Sequence, residues 1–227
     1  MPIINMVYKK KKWWKPWANT IAYYPLESDT NDYSWNWHNL SNWTVPTFTT
    51  SWSLSYATWS AKAYSNGFAM ATDKFTVCYR IKITNTSQTG KWTFSLTWDW
   101  SFWKEFWWLY GTNYNPKLNM YIECIAPNWQ MYWINPTADT WYNFCLSYDR
   151  TASTPYCKVY VNWAYINWTT TSTVSWTNVQ VNLFWVGTGT NSASANCSFS
   201  NFIIENRPRA AQEILDYYNI TKWNYGL

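Results

Sequence analysis

Glycine is nearly missing from this chain: 6 residues among 227, beside 22 tryptophans. An average protein carries about 7% glycine, which at this length means roughly 16 residues. The deficit and the tryptophan excess are of similar size. A turn-rich protein with so little glycine must build its tight turns from Asn and Asp alone. Conceptual translation that reads UGA as tryptophan, in an organism that reads it as glycine, produces this signature.

Other scarcities exclude whole classes of function. Charged residues make up only 13% of the chain, and one histidine is present, His38. No uninterrupted apolar stretch approaches the roughly 18 residues of a membrane helix. The five cysteines, Cys78, Cys124, Cys145, Cys157 and Cys197, have no close pair, so zinc-type spacing is absent. Each stands in or beside a strand-like run and reads as a reduced, partly buried small hydrophobe; one or two disulfides stay open, with one cysteine left over. No repeat of about 20 to 50 residues is evident, which argues against a propeller or solenoid.

The net charge of +5 is concentrated in Lys9, Lys10, Lys11, Lys12 and Lys15, and without them 12 basic residues face 12 acidic ones. A neutral body with a basic arm does not form the basic face of a nucleic-acid binder. Residues 1–18 read as a basic, flexible arm and 19–227 as one domain. The start, MPIINMVYKKKKWWKPW, lacks the continuous apolar core of a secretory signal, so export is expected by another route.

What is present is a strand-and-turn rhythm of short period-two apolar runs. In FTVCYRIKIT, Phe75, Val77, Tyr79, Ile81 and Ile83 share one face, while Thr76, Arg80, Lys82 and Thr84 share the other, which is expected to meet water. Further strands are expected at Ile21 to Leu26, Thr93 to Thr97, Leu118 to Ile125, Tyr142 to Tyr148, Cys157 to Val161, Val179 to Val186 and Cys197 to Glu205. One helix is expected in RPRAAQEILDYYNI, opened by Pro208, with Ala211, Ile214, Leu215 and Tyr218 at helical spacing. Many antiparallel strands and one terminal helix indicate an all-β, two-sheet sandwich.

Two stretches carry tryptophan where turn chemistry asks for glycine. In KVYVNWAYINW, Asn162-Trp163 separates two strand halves, in the place of the Asn-Gly hairpin signal that needs φ > 0 at both positions. In NDYSWNWHNLSNWT, Trp35, Trp37 and Trp43 interrupt a cluster of turn formers. Positive φ with exposed indoles at 35 and 37 would mark glycine positions, and buried rings with ordinary dihedrals would not.

The chain resembles the laminin-G-like, concanavalin A-like lectin and glucanase jelly-roll domains. IAYYPLESDTNDYSWNWHNLSN resembles their Y-x-P-L strand and N-D-x-S-G-N-G-x-N-L loop, with Trp35 and Trp37 at the glycine places. DKFTVCYRIKI is similar to the F-T-x-x-x-W-x-K strand, with Tyr79 for its tryptophan. Trp141, Tyr148, Asp149, Tyr160, Asn162 and position 163 match W-Y-x-x-x-x-x-Y-D and a Y-x-N-G hairpin. Glu205, Asn206, Arg207, Glu213 and Ile214 resemble the closing I-Y-N-R-x-L-S-x-x-E-I, with Ala210-Ala211 for Leu-Ser. These motifs cover about residues 20 to 220 in the right order.

The resemblance implies an antiparallel two-sheet jelly-roll β-sandwich with a short C-terminal helix. It implies a non-catalytic module that binds glycans or a surface protein, at the cell surface, outside the cell or on a virion. The ligand-binding residues are expected in the long polar segment holding Asp99, Tyr110, Asn113, Tyr114 and Asn115, where rings stack on sugar faces and amides fix hydroxyls. Relatives often carry calcium, for which Asp29 and Asp32 are the candidate loop, with Asx-turns as the commoner role. No other cofactor is expected. A structural domain of a phage tail or cell-surface assembly is the alternative, and oligomerisation is left open. Glycoside hydrolysis needs two carboxylates about 5 Å apart, and the E-x-D-x-x-E strand that supplies them in the related glucanases is absent.

Overall fold

The computed structural model describes residues 18–26, 28–34, 36–42, 46–50, 55–59, 63–65, 70–71, 73–83, 92–97, 105–111, 118–121, 132–134, 137–149, 151–154, 156–166, 180–181, 183–186 and 197–222. They form antiparallel strands and one C-terminal helix. The larger sheet contains β1 (Thr20–Tyr24), β3 (Thr47–Thr50), β4 (Ser55–Trp59), β7 (Lys74–Ile83), β12 (Trp141–Asp149), β13 (Tyr156–Val161), β14 (Ala164–Ile166) and β17 (Cys197–Glu205). Its order is β14-β13-β12-β7-β17-β4-β3, with β1 also paired to β17. A second sheet runs β11 (Tyr132–Ile134), β10 (Leu118–Tyr121), β9 (Glu105–Gly111), β8 (Trp92–Thr97), β16 (Leu183–Val186), β5 (Ala63–Ser65) and β2 (Ser41–Asn42). β6 (Met70–Ala71) pairs with β15 (Gln180–Val181).

Most expected strands recur with shifted ends: the run from Ile21 begins one residue earlier and stops at Tyr24, and the run from Tyr142 lengthens to Trp141–Asp149. The run from Val179 to Val186, expected as one strand, is instead two, β15 and β16, paired in different sheets. Short strands such as β2 and β5 have too few residues to display a period. The segment from Asp99 to Asn115, expected as one irregular loop, contains β9, whose Phe, Trp and Tyr residues favour a strand.

β17 holds the larger sheet together. Its first half pairs with β4 and its second half with β1, while β7 lies along the other side. The register breaks between Ser200 and Ile203, where Asn201 takes φ +50°, a left-handed conformation that asparagine tolerates. The bulge lets Phe199 and Phe202 face the same side, where both lie against Tyr79, whose ring also stacks on Phe144 at 5.5 Å.

The polar face of β7 is largely shielded from water, with Lys82 alone of its described residues Thr76, Arg80 and Lys82 partly exposed and Thr84 outside the described residues. Thr76, Cys78 and Arg80 are as buried as Phe75, Val77, Tyr79 and Ile81 on the opposite face. Helix α1 (Ala211–Thr221) accounts for the difference, because Ile214 and Tyr217 pack into a core cluster with Tyr23, Cys78, Cys145, Tyr160 and Ile203. Within the helix Ile214, Tyr217 and Tyr218 are buried, whereas Ala211 of the expected stripe sits exposed in the first turn. Burial of Ile214 alone stabilises by about 1.5–3 kcal/mol.

A polar network stitches the segment before the helix to this face. The Arg209 guanidinium donates to both Glu205 oxygens at 2.6 and 2.8 Å, and all of these side chains are buried. Thr76 Oγ1 donates to the Arg207 carbonyl and accepts from the Arg209 amide, while Ser147 Oγ donates to the Arg209 carbonyl. Arg207 grips Glu213 with two bonds, and Glu213 also accepts the Ala210 amide at the helix start. The carboxylate therefore does part of the capping that the Ala210 side chain cannot.

The cysteine expectation is corrected at one pair. Cys78 and Cys145 lie opposite each other on β7 and β12 and form a disulfide. Their separation of 67 residues hides the pairing from any local spacing rule. Cys197 is wholly buried, and burial pushes its thiol pKa far above the usual range.

Candidate functional site

The loop between β1 and β2 is built around one carboxylate. Asp32 Oδ1 accepts the amides of Tyr23 and Ser34 at 2.9 and 2.8 Å, and Oδ2 accepts the His38 amide at 3.0 Å with Ser34 Oγ 2.8 Å away. Its own amide donates to Asn39 Oδ1. The Asn36 amide group reaches the carbonyls of Thr20 and Ile21, and the Leu40 amide donates to the Thr30 carbonyl. Tyr33 is tied to Tyr23 through its amide. A buried carboxylate surrounded by four donors is well satisfied, and it fixes the loop in one shape.

His38 is half-buried in this loop. Its carbonyl accepts the Tyr24 hydroxyl at 2.6 Å, and burial holds its pKa below the usual histidine value against the opposing pull of Asp32.

This rigid loop presents Tyr33 outward, with its ring half exposed. The Tyr33 hydroxyl donates to Asp29 Oδ2 at 3.0 Å, while Asp29 Oδ1 accepts the Asn31 amide at 3.0 Å in an Asx-turn. An exposed ring with a fixed carboxylate beside it can cover a sugar face and bond a hydroxyl. Trp37, on the same loop, has φ +59° and is 79% exposed.

A second exposed aromatic pair lies at the β13–β14 hairpin. Asn162 and Trp163 have φ +47° and +69°, and Val161 pairs directly with Ala164 across the two-residue turn. Trp163 is 51% exposed, and Tyr165 leans on the buried Tyr160 with centroids 5.5 Å apart. Asn162 anchors the turn by donating its amide to the Asn143 carbonyl and accepting the Asn143 amide at Oδ1. Trp141 behaves differently: it is buried in β12, and the Lys82 amine sits 5.9 Å from its ring.

Of the expected ligand residues, Asp99, Asn113, Tyr114 and Asn115 lie outside the described residues, and Tyr110 belongs to β9 rather than to a loop. Trp35 and Trp43 also lie outside them. Asp29 and Asp32 do share one loop, but the oxygens of Asp32 are engaged by protein donors. Among the described residues, no group of three or more His, Cys, Asp or Glu side chains could hold a metal ion, and no helix is long and apolar enough to cross a membrane. Tyr33 escaped the sequence reading because no local pattern marks a tyrosine as exposed.

No family model matches the chain, and no curated protein matches it in sequence. Solved structures do match in fold. Domain 4 of AbnA, a GH43 extracellular arabinanase from Geobacillus stearothermophilus solved in complex with arabinotriose, superposes with a TM-score of 0.65 at 13% identity, covering 89% of this chain and 98% of that one. The botulinum neurotoxin type G receptor binding domain gives 0.66 at 11% identity, covering 89% of this chain and 51% of that one. The serotype D ligand binding domain, in complex with N-acetylneuraminic acid, gives 0.67 at 13% identity over 88% and 50%. The chain thus spans about half the length of the neurotoxin domains. At these identities the likeness is one of fold.

Proposed function

We propose that this chain is a non-catalytic glycan-binding module of the laminin-G-like kind, in which the two large sheets stack as a jelly-roll sandwich. The observation that carries the reading is the fold likeness to the arabinanase domain solved with arabinotriose, which extends over nearly the whole of both chains. Burial of both faces of β7, only one of them under α1, supports the stacking. The binding surface includes the Asp32-braced loop, where Tyr33 and Asp29 meet the sugar. Asp99, Tyr110, Asn113, Tyr114 and Asn115 are proposed to extend it.

Glu205 and Glu213 are held by Arg209 and Arg207, which suits structural rather than catalytic roles for these two carboxylates. No calcium is proposed for this loop, since Asp32 already accepts three backbone amides and a calcium site needs about six to eight oxygens. The buried Cys78–Cys145 disulfide suits an oxidising, extracellular setting.

A glycan array that includes arabino-oligosaccharides and sialylated glycans tests the reading. Saturable binding to a defined glycan class is expected. Silence across the array and across polysaccharides, together with a stable trimer or larger assembly in solution, would overturn it in favour of a structural domain of a phage tail or surface assembly.

A further inference from the structure

We infer that positions 37 and 163 are glycine in the protein its own organism makes, their UGA codons having been rendered as tryptophan. Six non-glycine residues among those described have positive φ: Leu26, Trp37, Asp139, Asn162, Trp163 and Asn201. Asp and Asn visit this region readily. Leu26 is held there by complete burial of its side chain. The two tryptophans have neither excuse, since their rings are 79% and 51% exposed and gain little packing to offset the clash of Cβ with the backbone.

Neither backbone is free to relax. Asn36 and His38, on either side of Trp37, are both bonded into the Asp32 loop. Around Trp163 the turn is pinned to β12 through Asn162, and β13 meets β14 with two residues between paired positions. A two-residue hairpin with positive φ at both centres is the type I′ turn, for which Asn-Gly is the preferred sequence. Trp141 is buried in an extended strand beneath Lys82, where glycine would leave a hole.

With glycine at 37 and 163, the exposed aromatic surface of the two turns is carried by Tyr33 and Tyr165. The test is the coding DNA of the source organism, with peptide mass spectrometry of the protein purified from it. UGA at 37 and 163 beside UGG at 141, and peptides carrying glycine at both sites, are expected. UGG at either 37 or 163, or a peptide carrying tryptophan there, would overturn the inference for any ligand the protein binds.

Discussion

Replacing Trp163 by glycine and, separately, by alanine isolates the backbone demand of the β13–β14 turn. Both substitutions remove the same half-exposed indole, so the lost contact cancels and only Cβ distinguishes them. At φ +69° that Cβ costs about 1–2 kcal/mol. The greater freedom of glycine in the unfolded chain returns roughly 0.5–1 kcal/mol of this. The glycine variant should therefore be more stable than the alanine variant by about 1 kcal/mol, or roughly 2–4 °C in Tm for a domain of this size. One residue further on, Ala164 lies in β14. There, alanine-to-glycine substitution should destabilise by about 0.5–1 kcal/mol. Urea unfolding of the three variants and the parent reads both differences, and Trp37→Gly against Trp37→Ala should repeat the first. Alanine variants as stable as their glycine partners at both positions would refute the reasoning.

Three further outcomes follow from the same geometry. Cys78→Ser/Cys145→Ser opens a loop closed across 67 residues, and chain entropy sets the loss near 4 kcal/mol, readable as a fall in Cm or Tm that reducing agent reproduces in the parent. Glu213 has its pKa lowered, first by the Arg207 hydrogen bonds, so its contribution is complete above the unfolded carboxyl value of about 4.3 and is lost as pH falls through the lower folded value. Glu213→Gln should accordingly destabilise at neutral pH, with the gap to the parent closing in acid; a gap independent of pH would show that the ion pair contributes nothing. Added calcium, or its removal with chelator, should leave the melting temperature unchanged, and a rise that saturates with calcium would place an ion on this fold.

Much of the architecture was legible in residues that alternate. Phe75 to Ile81 announce β7, and Val161-Asn162-Trp163-Ala164 announces a hairpin whose register the structure reproduces. The other face of β7 was misread because burial there depends on α1, more than a hundred residues away, covering Thr76, Cys78 and Arg80. Cys78 and Cys145 stayed unpaired in the sequence for the same reason: only the adjacency of β7 and β12 joins them. In the β1–β2 loop, Asx-turns are the commoner role for Asp29 and Asp32, and both make them. That Asp32 also collects the amides of Tyr23 and His38, and so braces Tyr33, is a tertiary fact with no local signature.

The glycan-binding reading is tested most directly by affinity electrophoresis of the native chain, beside its Tyr33→Ala variant, through gels containing arabinan or the polysaccharide of the best array hit. Tyr33 is half exposed and its hydroxyl meets a surface carboxylate, so its removal spares the core. Retardation of the parent, relieved by free oligosaccharide and weakened in the variant, is the predicted result. Parent and variant running unretarded at every polysaccharide concentration would contradict it.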